Sequence, residues 1–317
     1  MRPEFGQSER RSGALWAITS YFNPMTYRRR RANFRIFRER LGLPLVAVEL
    51  AYGPDFELDE SDAEILVRLR GTDVLWQKER LLNVALASLP PSCTKVAWID
   101  CDVFFEDPDW HLSIERLLDE VPIAQAFSRV AYLSRAWRPG AGDEGIAFVL
   151  PARVAAVRSF ASPVDCFRAT DRSRTGAPGF AWAARRAVLD RHGFYDGSII
   201  GGGDRLLLCA AYGDFAGAAR IDHDEMPRRR HFERWARPFA DEIAGRVGFI
   251  EGTSCSLWHG SMADKQVDAR FAGLREFNLD PAVDIAVDEG GAWRWNSDKP
   301  DLHAYVRRFF AARREDG

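Results

Sequence analysis

The apolar run of residues 14–22, "ALWAITSYF", ends at Asn23-Pro24, which predicts a core strand passing into a loop. The next stretch changes period. Wound at about 3.6 residues per turn, residues 25–41 put Tyr27, Phe34, Phe37 and Leu41 on one side of a helix and Arg28, Arg31, Arg35 and Arg38 on another. Arg30 falls among the apolar positions of the first turn, so it requires an anionic partner. Short apolar runs at 43–50 and 63–69 predict two further strands. Residues 72–91 then predict a helix capped at Thr72 or Asp73 and ended by Pro90, with Leu75, Leu82, Ala85, Leu86 and Leu89 as its core stripe. Lys78 lands inside that stripe, where an ammonium is costly without a partner, whereas Arg80 and Asn83 sit off it.

Residues 95–100, "KVAWID", predict one more strand. Strand, helix, strand, strand, helix, strand is an α/β pattern with a mostly parallel sheet, and such sheets bind ligands at the carboxyl ends of their strands. Asp100 and Asp102 lie at such an end. Beyond residue 110 the rhythm loosens into Gly/Pro-punctuated loops at 133–145 and 167–179. Residues 180–196 predict a strand, a helix and a turn, and 201–213 a glycine-rich turn opening a helix. Residues 247–260 predict a strand ending at His259, and 301–316 a helix with Tyr305, Phe309 and Phe310 near one face.

Composition narrows the classes. A chain of 317 residues with 46% hydrophobic content can bury a substantial core, and a formal charge of −2 argues against a protein coating nucleic acid over its whole surface. The only lysines are Lys78, Lys95, Lys265 and Lys299, so nearly all positive charge is arginine, which suits bidentate phosphate contacts. The 5 cysteines form no CxxC pair and read as reduced thiols. With a polar first stretch and no long apolar run, the expected location is cytoplasmic.

Two aspartates one residue apart at a strand end can hold a divalent cation that keeps positions open for substrate phosphates. This Asp-x-Asp, with three further stretches, resembles the metal-dependent GT-A glycosyltransferases, galactosyltransferase-like in particular. Those stretches are "LWQKERLLN", the run 179–204 leading through Gly193-Phe194 to Gly201, Gly202, Gly203 and Asp204, and "SLWHG" with His259. Together the four span roughly residues 14–262. The expected fold class is therefore α/β, a GT-A (Rossmann-like) mixed sheet flanked by helices.

The resemblance implies an organisation and a set of roles. After an N-terminal tail, 1–13, the catalytic domain would run over 14–262, its nucleotide half to about 110 and its acceptor half beyond. Residues 263–317 would form a helical extension packed on the same domain. Asp100, Asp102 and His259 would hold Mn²⁺ or Mg²⁺, with Asp100 also at the donor. Thr19, Tyr21, Arg30, Lys78, Arg80, Asn83, Gly202 and Gly203 would contact the nucleotide sugar, a UDP-sugar in the first instance. Trp182 and Trp258 would stack on the acceptor, and Asp204 would be the base of a direct, inverting displacement. Arg205 departs from the paired acids of galactosyltransferase-like relatives. The acceptor hydroxyl is left open between a glycan, a metabolite and a modified DNA base, the last suggested by the arginine stripes at 28–38 and 226–239. The rivals are a nucleotidyltransferase or phosphohydrolase on the same metal site, and a glycan- or nucleic-acid-binding module.

Overall fold

The computed structural model describes residues 14–221, 226–267 and 269–317, so the expected tail, 1–13, lies outside the described residues. The chain opens with β1 (Leu15–Phe22), β2 (Leu45–Ala51), β3 (Ile65–Arg70) and β4 (Lys95–Ile99). β5 (Val103–Phe105), β6 (Ile123–Gln125), β7 (Arg129–Leu133), β8 (Ile146–Pro151) and β9 (Ala181–Arg185) follow. The last strands are β10 (Val247–Phe249), β11 (Thr253–Ser256), β12 (Ile285–Val287) and β13 (Trp293–Trp295). The main sheet has the order β10-β6-β9-β4-β1-β2-β3, parallel throughout except for β9. This is the mixed, mostly parallel GT-A-like arrangement. From β1 the chain builds outward through β2 and β3, then returns to place β4 on the other side of β1. The crevice between the ends of β1 and β4 is thus a switch point, where open α/β sheets bind ligands.

Both faces of the sheet are covered, which is why its strands read as continuous apolar runs. One face carries Ile18, Val46, Val48, Val96, Trp98 and Trp182 against the helices Lys78–Ala87, Gly203–Ala211, Met226–Ile243 and Pro300–Ala312. The other carries Leu15, Ala17, Leu45, Ala47, Ala97 and Ala183 against Arg28–Arg40 and Trp110–Glu120. A second sheet, β5-β11-β7-β8, extends the wall beyond β4, and β12 and β13 form a ribbon.

Three boundaries differ from the sequence reading. The helix expected over 72–91 starts at Lys78, because Asp73 accepts the Trp295 N–H at 2.9 Å and Trp76 N–H binds the Ile199 carbonyl at 3.0 Å, tying the preceding residues to other segments. The strand expected over 247–260 is two strands in different sheets, broken at Gly252 with φ +135°. His259 lies in the loop after β11, not at its end. The last helix stops at Ala312, and Arg314, with φ +43°, turns the chain back toward the sheet. Among the described residues no helix is long and apolar enough to cross a membrane, and all five cysteines are free.

Candidate active site

β4 ends in the core and hands the chain to a turn in which Asp100, Cys101 and Asp102 come to a cavity of about 240 Å³. Ser20 and Phe22 from β1, Lys78, Asp204, His259, Lys265 and Arg313 complete much of its wall. Both charges that the sequence left without a partner find one. Lys78 Nζ lies 2.6 Å from Asp100 Oδ1 and 2.9 Å from Asp204 Oδ2, so one ammonium ties the end of β4 to the helix Gly203–Ala211. Burial works against that ammonium, but Asp100 and Asp204 outweigh it and hold its pKa well above the usual lysine value. Arg30 Nε lies 2.7 Å from Glu315 Oε2, and Arg313 Nε meets the same carboxylate at 2.6 Å. Glu315 is 1% exposed and its pKa is held far below the ordinary range: burial raises it, and the two arginines more than reverse that.

Asp204 is the second residue of its helix, whose N-cap is Gly202 in the left-handed region, and no side chain caps the helix. The aspartate points to Lys78, not to the helix's own N–H groups. Burial raises its carboxyl above the usual value, with Lys78 opposing. Gly179 leaves space beside it, since a Cβ there would come 2.8 Å from Asp204 Oδ2. Gly202 lines the cavity, whereas the room left by Gly203 is filled by the Glu79 carboxylate.

His259 Nδ1 lies 2.8 Å from the Leu257 carbonyl and 3.1 Å from Asp102 Oδ2. That nitrogen therefore carries the hydrogen, and Nε2 keeps its lone pair. Burial and then the Lys265 charge hold the imidazole pKa well below its usual value, so the ring stays neutral. A neutral imidazole whose other nitrogen is tied to a carbonyl, beside a carboxylate, has the chemistry of a metal ligand. Among the described residues no three His, Cys, Asp or Glu side chains converge as a ready-made cage. Divalent ions that travel with phosphates commonly use only one or two carboxylates and leave the remaining positions to substrate and water, so Asp102 and the Nε2 of His259 would each supply one donor. With Nδ1–H on Asp102 Oδ2 the two donors face apart, and both would reach one ion only once that contact opened. Asp100 would join them only in competition with Lys78.

The remaining expected site residues lie elsewhere. Thr19 is fully buried and donates to the Ile99 carbonyl at 2.7 Å, and Tyr21, 1% exposed, binds Glu57. Arg80 binds the Gly291 carbonyl and Asp196, and Asn83 binds the Phe194 carbonyl and Asp196. Trp182 is fully buried, stacked on Trp98, with its N–H on the Pro178 carbonyl. Trp258 is half-buried next to Arg29 and Arg135, on a smaller cavity that adjoins the first and shares Tyr132, His259, Met262 and Lys265 with it. The arginine stripes also carry acids: Arg31 pairs with Asp59 and Asp62, Arg38 with Glu64, and Arg229 and Arg237 with Glu233. Sequence reasoning missed Arg313, Glu315 and Lys265. Only Lys265 carried a signal, as one of four lysines in an arginine-rich chain.

No family model matches the sequence, and no curated protein does. Several solved structures are similar to it at low identity. S. aureus TarS is 12% identical with a TM-score of 0.39 over 84% of this chain, which spans 41% of TarS. Glucosyl-3-phosphoglycerate synthase from Mycobacterium tuberculosis, in complex with Mn²⁺, UDP and phosphoglyceric acid, is 12% identical with a TM-score of 0.39, covering 94% of this chain and 76% of that one. The catalytic domain of Drosophila β1,4-galactosyltransferase 7, in complex with xylobiose, is 11% identical with a TM-score of 0.38, covering 92% and 98%. At such identities and TM-scores these likenesses assign neither ligand nor reaction to this chain.

Proposed function

We propose that the chain is a nucleotide-sugar-dependent glycosyltransferase whose first cavity takes the donor diphosphate and whose Asp204 deprotonates an acceptor hydroxyl. The observation that carries this reading is the single wall on which a half-buried aspartate at a strand end, a second half-buried aspartate at a helix start and their shared buried lysine meet. Arg30, Arg313 and Lys265 supply fixed positive charge for a leaving diphosphate. Lys265 is pushed down to about 8 by burial and by Arg313, and below that pH it remains a cation. Asp102 and His259 would hold Mn²⁺ or Mg²⁺, which would neutralise charge building on the departing diphosphate. Asp204, made more basic by burial, is suited to accept the hydroxyl proton. Direct attack by that hydroxyl inverts the anomeric carbon.

The test is a panel of nucleotide sugars, UDP-sugars first, incubated with Mn²⁺ and mixed hydroxyl acceptors, with the product's anomeric configuration read by NMR. The reading expects metal-dependent transfer with inversion. Full activity in excess EDTA would remove the metal from it, a retained configuration would remove Asp204 as base, and nucleotide release without a glycosylated product would favour a phosphohydrolase.

A further inference from the structure

Trp258 stands among guanidinium groups. Arg29 Cζ lies 5.1 Å and Arg135 Cζ 5.3 Å from the centre of its ring, within the range of cation–π contacts. Asn33, buried on the helix Arg28–Arg40, donates Nδ2 to the Trp258 carbonyl at 3.1 Å and so ties the indole to the helix that supplies Arg29. A third cation is near. Arg138 donates Nη1 to the carbonyls of Trp137 and Arg135 at 2.7 and 3.3 Å, and Arg135 donates Nη2 to the Asp316 carbonyl at 3.1 Å. These partners are neutral. Among the described residues no acidic side chain forms an ion pair with Arg29, Arg135 or Arg138, whereas Arg31 and Arg38 on the same helix pair with Asp59, Asp62 and Glu64.

Burial, and then the charges of Arg138 and Arg135, hold the Arg29 pKa below its usual value. The carboxylate that opposes them is Asp316, whose oxygens already accept the backbone N–H groups of Arg28 and Arg29 at 3.2 and 2.8 Å. Like charges brought close destabilise one another, and an anion among them reverses the sign of the interaction. The patch also has a way into the site already described. Trp258 lines the smaller cavity, of about 130 Å³, whose far wall includes His259 and Lys265 of the first. Phe148, 40% exposed and stacked on Tyr132 with ring centres 4.3 Å apart, gives that cavity an apolar side for a carbon skeleton.

We propose that Arg29, Arg135 and Arg138 bind a phosphate group of the acceptor, a small hydroxyl compound whose carbon skeleton passes through the smaller cavity and presents its hydroxyl in the first. Guanidinium groups match phosphate oxygens in a bidentate way, and three of them about one indole suit a single phosphate. A nucleic-acid backbone needs a track of cations, which the acid-paired Arg31 and Arg38 do not continue. The word acceptor rests on the transferase reading; the phosphate site does not. The test is titration calorimetry without donor, using glycerol 3-phosphate, glycerol and a short single-stranded oligonucleotide. Glycerol 3-phosphate should bind roughly 10-fold or more tighter than glycerol, and Arg135→Gln and Arg138→Gln should each weaken it about 5-fold, the scale of a partly solvated charge-assisted hydrogen bond. Both arginines are exposed and neither lines the first cavity, so both variants should keep the wild-type melting temperature. Equal binding of glycerol 3-phosphate and glycerol would overturn the inference. So would phosphate binding that is unchanged in the folded double variant, because the ion would then sit at Arg30 and Arg313. An oligonucleotide held by these arginines where glycerol 3-phosphate is not would overturn it in favour of a nucleic-acid surface. Sugar transfer to neutral hydroxyl compounds with no phosphate binding overturns this inference and leaves the transferase reading intact; phosphate binding with transfer to nothing supports the patch and counts against that reading.

Discussion

Two charge clusters stand on the wall of the first cavity, one half-buried and one buried, and they are opposite in balance. Around Lys78 one cation meets two carboxylates, Asp100 and Asp204; around Glu315 one carboxylate meets two guanidinium groups, Arg30 and Arg313. The first has negative charge to spare for a proton or a cation. The second has positive charge to spare for a diphosphate. Each cluster keeps its surplus in place through a single central ion of the other sign, and that ion is where the comparison can be broken.

The largest effect is expected from Lys78→Met. Removing the shared ammonium leaves the half-buried Asp100 and Asp204 facing each other, a loss of about 3 kcal/mol, the lower end for broken buried pairs because both carboxylates keep some contact with solvent, read by denaturant unfolding. Lys78→Arg should restore part of that stability but not turnover, because a planar fork cannot replace a point charge between two carboxylates. Glu315→Gln is the mirror experiment. It should cost about 2 kcal/mol, since both arginines keep a neutral acceptor, while UDP binding stays level or tightens as the surplus of positive charge grows. Loss of UDP binding in a folded Glu315→Gln protein would mean that the second cluster is not the diphosphate side.

Glu79 gives the smallest and most specific effect. Its carboxylate, bonded to Trp76 Nε1 at 3.0 Å, is pushed up to about 8 by burial, with Lys78 opposing. A carboxyl raised above its ordinary value of 4.5 keeps its proton in the folded state, so its contribution to stability falls as pH rises from about 4.5 to about 8. Glu79→Gln should melt like wild type near pH 5 and better than wild type at pH 8.5. Parallel melting curves for the two proteins across that range would show that Glu79 is already ionised and that the first cluster carries one more negative charge.

How much of this was legible depends on how local the signal is. The strand ending at Asp100 and the helix opening beyond the glycines could be read because apolar period and turn chemistry are local. Lys78 and Arg30 stand out as charges on apolar stripes; Lys78 is the central ion of one cluster and Arg30 one of the two cations gathered by Glu315 in the other. The identity of Arg30's partner was not legible, since Glu315 lies 285 residues away and nothing near it in sequence marks it. Thr19 and Tyr21 lie at the right strand end, but alternate residues of a strand face opposite ways, and it is Ser20 and Phe22 that reach the cavity. Arg80 and Asn83 likewise turn away from it, about 160° and about 140° round the helix from Lys78 at 3.6 residues per turn. Trp182 went to the core because it lies on β9, in the middle of a sheet covered on both faces.

The central claim is that Asp204 removes a proton and does not merely cap a helix or anchor a lysine. The direct measurement is Asp204→Asn, with turnover and nucleotide-sugar affinity determined on the same preparation. Asparagine keeps an oxygen for Lys78 and nearly the same volume but accepts no proton. The account predicts a folded protein with donor affinity little changed and transfer lower by roughly 10²–10⁴-fold, the usual contribution of a general base. Transfer at near wild-type rate in that variant would contradict it.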